Sequence, residues 1–555
     1  MPPRVLLVYA NPAVTAAPVP PYGAERVAQA FRLAGCDVRI VSPFQVPGAR
    51  AALHTALDAW RPTLVGYSVR NLDDALVVRS STGARPLDTT DYLPAIRPLV
   101  ALARDRSLPV LLGGAGFSAC PDGVLADLRA DAGIVGAADD LVWRLGRGLA
   151  QGASLADALP DDPRVLRAGG APAPRLRAPP FRAVPGPTPR ESSWLTLARR
   201  RGGRVPVSVS AGCDRRCHFC VEGSFVGGAV RPRPVEEVLA EITLLRRVGV
   251  TRVWLAASEL NVPDTRHATT LLRALAAARV DVAVAGFLQP APVDDTMLDA
   301  LEAVGVDPAT LSWELGHLDD GLLRAGAGPA NRAQIEALVE RYRRRGYRTL
   351  GGSVLFGAHP HEDDASIDRA LAAAHELDAA LPGGLGLAWA AGGRVYASAP
   401  LGRWVAANLE AARPHLVGRV TPGFAAPLVY CRPGRPRELY ARVEAGLRGM
   451  RGAVQALNAE TELRPSALEV ERWVNLAVLR AEAGDGPGAA RACTAALRRA
   501  PEHREALRQL ALVQANLLGR PAAGLATLRR LLPLCPAESA AEVRAAITLL
   551  EAALP

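Results

Sequence analysis

Apolar positions fall in two rhythms along the chain. In residues 1–150 short unbroken apolar runs, "RVLLVYA", "DVRIVSP", "RPTLVGYSVR", "LPVLLGGAG" and "DAGIVGA", alternate with stretches whose apolar residues recur every three to four positions. Unbroken runs mark strands buried on both faces, and the longer period marks amphipathic helices. In "GAERVAQAFRLAG", Val27, Phe31 and Ala34 share one helical face and Gly35 closes it before the next run. The pattern predicts an α/β, doubly wound domain with a parallel sheet.

A second alternation occupies residues 199–400. Its six strand-like runs are "VPVSVS", "TRVWLAA", "DVAVAGF", "ATLSW", "YRTLGGSVLF" and "GLGLAWA", with helical stretches such as "VEEVLAEITLLRRVG" between them. Six such units predict a partial (β/α)6 barrel, whose chemistry belongs at the carboxyl ends of its strands. Between the two, residues 151–198 hold "GGAPAPRLRAPPFRAVPGPTPRESS", dense in Pro and Arg and without period, which predicts an extended linker. Residues 401–465 are mixed and are expected to border the substrate. Residues 466–555 predict an all-α repeat segment: Gly484 aligns with Gly519 and Pro501 with Pro536, both at an offset of 35, a period that resembles tetratricopeptide helix pairs.

A chain of 555 residues is too long for one core, and its 49% apolar content has no charge-free run of eighteen, so a soluble, multidomain protein is expected. "MPPRVLLVYANP" enters a strand without an export signal. The net charge is +10, but all 65 basic residues are arginine and they lie scattered among 55 acids, which argues for a solvated surface rather than a nucleic-acid footprint. Cys36, Cys120, Cys431, Cys493 and Cys535 are isolated, so no disulfide framework is expected and a reducing cytoplasm fits.

The other three of the eight cysteines crowd into "SAGCDRRCHFCVEG" as Cys213, Cys217 and Cys220, just after the first barrel strand. Random placement would give one chosen three-cysteine spacing in only about 0.002 of such chains. A closed zinc site wants four ligands, and no second Cys/His pair stands at suitable spacing; His218 inside the loop would have to bind from a strained position. Three thiolates suit a [4Fe-4S] cluster with one iron left open. The Cx₃CxΦC spacing, with Phe219 before the last Cys, resembles the signature of the radical S-adenosylmethionine (SAM) superfamily. That resemblance implies SAM on the open iron and its homolysis to a 5′-deoxyadenosyl radical. It also implies cofactor contacts at successive strand ends. Glu259 in "AASELN" stands where the family holds the SAM amino group, although Ala257 and Ser258 replace two glycines. Gln289 follows the third strand, Glu314 in "LSWELG" the fourth, and "GGSVLFG", with Ser353 and Gly357, is similar to the adenine-contacting segment.

In the front domain no G-x-G-x-x-G follows the first strand, so dinucleotide binding is poorly supported. "YSVRNLDD" and "GGAGFSACP" instead resemble loops of cobalamin-binding domains fused to radical SAM barrels. The resemblance implies Gly113, Gly114, Gly116, Phe117 and Ser118 beside the cofactor's nucleotide tail, Arg70 toward the corrin's lower face, and Asn71 as a further cofactor contact. The Asp-x-His-x-x-Gly loop of many such domains is missing. His54, the only histidine before residue 200, sits in the helical "ALHTALDAW", so cobalt without a histidine ligand is expected. A protonated guanidinium cannot take its place as ligand.

Residues 4 to 460 together resemble the cobalamin-dependent radical SAM methyltransferases. That family implies methyl transfer from SAM via methylcobalamin to a carbon of a natural-product or peptide substrate, with an electron donor as partner. The repeats suggest a protein partner; no nucleic acid or membrane is expected. Three alternatives stand beside this: a cobalamin-binding radical SAM rearrangement or cyclisation, a radical SAM oxidoreductase with an empty front domain, and a tetratricopeptide adaptor with a degenerate barrel.

Overall fold

The computed structural model describes every residue except 14–16, 75–76, 80–88, 171–186, 226–227, 458, 461–464, 553 and 555. The Pro-rich centre of the expected linker therefore lies outside the described residues.

The front sheet has six strands in the spatial order Asp37–Val41, Arg4–Tyr9, Leu64–Ser68, Val110–Gly113, Ala132–Ile134 and Val165–Arg167. All neighbours are parallel except the last pair. The first five follow the two-one-three-four-five order of a doubly wound sheet, with its switch point between Arg4–Tyr9 and Leu64–Ser68. Val5, Leu7 and Ile134 pack on helices Tyr22–Leu33 and Asp139–Ala150. Leu6, Val8 and Tyr67 pack on Ala49–Trp60, Leu93–Arg104 and Pro121–Leu128. Burial of both faces is what makes these runs uniformly apolar.

Residues 151–198 are not linker throughout. Val165–Arg167 closes the front sheet and helix Ser192–Arg201 begins within the same stretch. A three-residue strand is too short to print a period on the sequence.

The barrel is an arc of parallel strands: Val205–Ser208, Arg252–Ala256, Ala283–Ala285, Ser312–Gly316, Leu350–Phe356 and Leu385–Ala391. A single bridge, Leu288 to Trp313, joins the third strand's side to the fourth. Val454–Ala456 extends the arc beside the sixth strand, so the arc reaches past residue 400. The fourth strand starts later than its sequence suggests. Asp307 accepts from the Ala309 N–H at 2.9 Å and holds Pro308–Thr310 in a tight helical turn. Glu314 therefore lies inside the strand, not beyond it.

Gly393–Arg394, Leu428–Tyr430 and Leu416–Gly418 form a small antiparallel sheet. Val395, Leu401, Phe424 and Leu428 join the core of the front domain, across some 300 intervening positions. The helices Pro465–Glu482, Gly486–Arg499, Arg504–Leu512, Pro521–Leu531 and Ala537–Ala552 follow, and Gly484 and Gly519 take positive φ (77° and 61°) at matching turns. The first of them does not pack only on its fellows. Asn475 Nδ2 donates to Gln45 Oε1 at 2.9 Å, Arg472 Nε to Phe44 O at 3.0 Å, and Arg201 pairs with Glu471. Among the described residues no helix is long and apolar enough to cross a membrane.

Candidate functional site

Short strand Ser210–Ala211 pairs with Arg231–Pro232 and delivers the chain into the cysteine loop. Gly212 turns it at φ +99°, where a Cβ would collide with Ala229 O. The loop is fixed from three sides: His218 N–H donates to Gly326 O at 2.8 Å, Leu401 N–H to His218 O at 2.8 Å, and Ser224 Oγ to Ser398 O at 2.6 Å. Cys213 is buried, Cys217 and Cys220 partly so. Burial pushes the Cys217 thiol up to about 12, and Cys220, Cys213 and Glu259 push the same way. Cys220 is likewise pushed up to about 12 by burial, with Glu222, Cys213 and Glu259 adding to it. The three thiols thus share one anion-rejecting space. It accepts three thiolates only with a compensating cation, as iron binding in exchange for protons supplies. Among the described residues no three His, Cys, Asp or Glu side chains converge as ligands of a single metal ion do. Three thiols whose charges act on one another are the donor set that a [4Fe-4S] cluster with one open iron takes.

Glu259 lies within electrostatic reach of all three thiols. Burial pushes its carboxyl up to about 9, Glu314 and Glu222 add to the rise, and Arg215 opposes it. Its Oε2 is buried without a hydrogen-bond partner, so the site presents an acid awaiting a cation. Glu314 is also raised by burial, against which Ser353 Oγ donates to its Oε2 at 2.6 Å. Gln289 is fully buried and both polar atoms of its amide lack partners. Its backbone is clamped by Asn261: Gln289 N–H donates to Asn261 Oδ1 at 3.1 Å, and Asn261 Nδ2 to Gln289 O at 2.8 Å and Pro292 O at 2.7 Å. Asn261 ends the quoted "SELN" and was not singled out by the sequence; a polar residue between Leu260 and Val262 was its only signal. Gly357 is a buried turn at φ +80°, its N–H held by Glu362 Oε1 at 2.7 Å, and so shapes the loop after the fifth strand.

A cavity of about 420 Å³ opens between the two domains. Gly113, Gly114, Ser118 and Gly136 line it from the front sheet, and Ser208, Gly212, Ala257 and Ser258 from the barrel. Leu7, Phe31, Leu111 and Ile134 give it an apolar wall. Gly114 adopts φ +97°, and a Cβ would lie 2.5 Å from Val69 O. Ser118 Oγ donates to Gly114 O at 2.9 Å and accepts from Gly136 N–H at 2.9 Å, which fixes the rim. Gly116 and Phe117 do not line the cavity. Gly116 N–H bonds Val69 O at 2.9 Å, and the Phe117 ring packs under Gly133 on the other face of the sheet. Arg70 is exposed at the switch point and donates to Tyr9 OH at 3.2 Å, and Asn71 donates to Asn11 Oδ1 at 3.4 Å. His54 stands on helix Ala49–Trp60, exposed and 3.0 Å from Asp58.

The segment "GGRVYASAPLG" stitches these parts together. Arg394 Nε donates to Asp73 Oδ2 at 2.6 Å in a buried pair, Ser398 N–H to Ala119 O at 3.0 Å, and Ser398 Oγ to Ser118 O at 2.9 Å. Loop, barrel and front sheet are therefore joined, although the cavity is lined by Gly212, Glu222 and Ser258 and not by the three cysteines, Glu259, Gln289 or Glu314.

Residues 207–374, which span the cysteine loop and most of the barrel, match the family model of the Radical SAM superfamily. Among curated relatives, the chain is 36% identical over 217 residues to a ribosomal protein uS12 methylthiotransferase of Kineococcus radiotolerans, a match spanning 36% of this chain and 43% of that protein. It is 26% identical over 434 residues to a tryptophan 2-C-methyltransferase of Streptomyces laurentii, covering 67% of this chain and 70% of the relative. Among solved structures, it is similar to the radical SAM methyltransferase TsrM from Kitasatospora setae with tryptophan and a SAM analogue bound (TM-score 0.66, 22% identity, 80% of this chain and 89% of that one). It is also similar to the cobalamin-dependent SAM radical enzyme OxsB (TM-score 0.58, 11% identity, 99% and 84%).

Proposed function

We propose that the protein is a cobalamin-dependent radical SAM methyltransferase that methylates a carbon of a small molecule or peptide. The observation that carries this reading is the shared cavity: the carboxyl ends of the front sheet face the carboxyl ends of the barrel strands, with Ser118 and Gly114 on one wall and Ser258 and Gly212 on the other. Cys213, Cys217 and Cys220 would hold the [4Fe-4S] cluster. Glu259 would hold the SAM ammonium, since its unpartnered oxygen lacks only a cation. The glycines Gly113, Gly114 and Gly136 and the apolar wall of the cavity would hold the cobalamin tail. When bound, cluster and corrin supply radical generation from SAM and a carrier for its methyl group.

The chain's own residues order this space. Asn261 fixes the loop of Gln289, Ser353 orients Glu314, and the Arg394–Asp73 pair keeps the front domain against the barrel mouth. A site walled by two domains excludes water and brings reactants to a fixed separation.

Incubation of reconstituted protein with cobalamin, reductant, methyl-labelled SAM and tryptophan, as the first acceptor tried, tests the reading. S-adenosylhomocysteine should accumulate whichever acceptor is correct, because it records loss of the methyl group. SAM consumed only to 5′-deoxyadenosine and methionine would contradict methyl transfer and favour a rearrangement.

A further inference from the structure

Two glycines sit in the middle of front-sheet strands, and they differ in what stands over them. At Gly133 the Phe117 ring occupies the place a side chain would take. At Gly66, chain neighbours aside, only Leu7 Cδ2 at 2.7 Å and Leu111 O at 4.0 Å come within 4 Å of where a Cβ would lie. Glycine inside a strand weakens it, and it suits a place where a ligand comes close to the backbone.

Gly66 belongs to a row across the sheet, paired with Leu7 on one side and Leu111 on the other. The row lies two residues back from Ser68 and Gly113, at the carboxyl ends of their strands, and positions two apart share a face. Leu7, Gly66, Ser68, Leu111 and Gly113 all line the cavity of about 420 Å³, so Gly66 leaves a groove between two leucines in its sheet wall. Phe31 of helix Tyr22–Leu33 and Val142 of helix Asp139–Ala150 line the same cavity from the helices packed on this face.

Leu7, Leu111, Phe31 and Val142 can neither donate nor accept a hydrogen bond, and the backbone of Gly66 is paired into the sheet on both sides. Polar side chains of the cavity are engaged with other groups. Tyr22 OH accepts from Ser208 N–H at 3.2 Å, Arg26 pairs with Asp139 at 3.2 Å, and Ser118 holds Gly114 and Gly136.

We propose that the groove over Gly66 reads the base of the corrinoid's nucleotide tail, accepting a benzimidazole and rejecting a purine. The inference rests on cobalamin as the occupant of the shared cavity. A dimethylbenzimidazole presents two methyl groups and a carbocyclic edge to the leucines, and their burial is favourable. An adenine in the same groove would bring its exocyclic amine and ring nitrogens out of water against side chains that offer no partner. Gly66 is then the specificity-determining position, because a methyl group there would stand where the ring lies against the sheet.

Calorimetric binding of three corrinoids to the full chain, all in the same cobalt oxidation state, tests this: cobalamin, pseudocobalamin with adenine as its base, and cobinamide without a base. Cobalamin should bind about tenfold or more tighter than pseudocobalamin, the cost of leaving at least one buried polar group unpaired. Gly66→Ala should weaken cobalamin toward the cobinamide value while leaving cobinamide affinity and reconstituted iron unchanged. Equal affinity of wild type for cobalamin and pseudocobalamin would overturn base reading, whether or not the variant folds. A folded Gly66→Ala that binds cobalamin as wild type does, or weakens cobalamin and cobinamide equally, would overturn it too. Wild type that binds none of the three would instead overturn the cobalamin reading beneath it.

Discussion

Glu259 shows how one side chain trades stability for binding. Its carboxyl is pushed up to about 9 from an ordinary 4.5 by burial and by Glu314 and Glu222. With the folded value above the unfolded one, this group's stabilising contribution is full below about 4.5 and is lost progressively as pH rises toward about 9. Glu259→Gln removes that slope. The cluster-free variant should unfold at higher denaturant than wild type at pH 8, by roughly 1–3 kcal/mol, because the wild-type carboxyl must take up a proton on folding at that pH and the amide need not, and should bind SAM more weakly in calorimetry. A variant less stable than wild type at pH 8 would show that the carboxylate already has a partner.

Single residues also mark what the sequence could and could not show. The three cysteines stood out because three thiols within eight positions are a pattern the sequence itself displays. Glu314 was placed beyond its strand and lies within it, since nothing in "VDPATLSW" distinguishes a capped turn at Asp307 from the start of a strand. Phe117 was expected beside a cofactor along with the rest of the turn "GGAGFS"; which face of a sheet a ring takes depends on what lies opposite, here Gly133. Asn261 acts through contacts with residues distant in sequence, which no local pattern records.

At the scale of elements, the turn after Val110–Gly113 sets the rim of the shared cavity. Gly114 occupies φ +97° with Val69 O where a Cβ would go. Gly114→Ala should cost roughly 1–3 kcal/mol in urea unfolding, since an L side chain is strained there, and should weaken cobalamin binding while leaving the cysteine loop intact. Unchanged stability would mean that the turn relaxes freely. The alternating strands and helices of both α/β domains were readable because burial on two faces leaves uniform apolar runs. The sheet of Gly393–Arg394, Leu416–Gly418 and Leu428–Tyr430 was not, because its strands are two or three residues long and its core partners lie in the front domain.

For the whole molecule, the C-terminal helices are less separable than their repeat suggests. Helix Pro465–Glu482 is tied to the front domain through Asn475 and Gln45 and to helix Ser192–Arg201 through Glu471. Truncation after Gly484 exposes buried Val474 and Ala477. Truncation after residue 464 also strips Arg201 of its carboxylate partner, and removing one partner of a buried pair costs about 3–5 kcal/mol. Melting temperatures should therefore fall in the order full chain, residues 1–484, residues 1–464. Equal melting of the two truncated forms would show that this helix contributes nothing to the core.

The central claim is that one chain holds two cofactors facing a common cavity, and counting both in the same samples tests it most directly. Wild type reconstituted anaerobically should carry about four irons and bind stoichiometric cobalamin. Cys217→Ala should lose the iron and keep the cobalamin, and Gly114→Ala should keep the iron and lose affinity for cobalamin. Wild type that binds iron but no cobalamin at saturating concentration, or Cys217→Ala with its iron unchanged, would contradict the account.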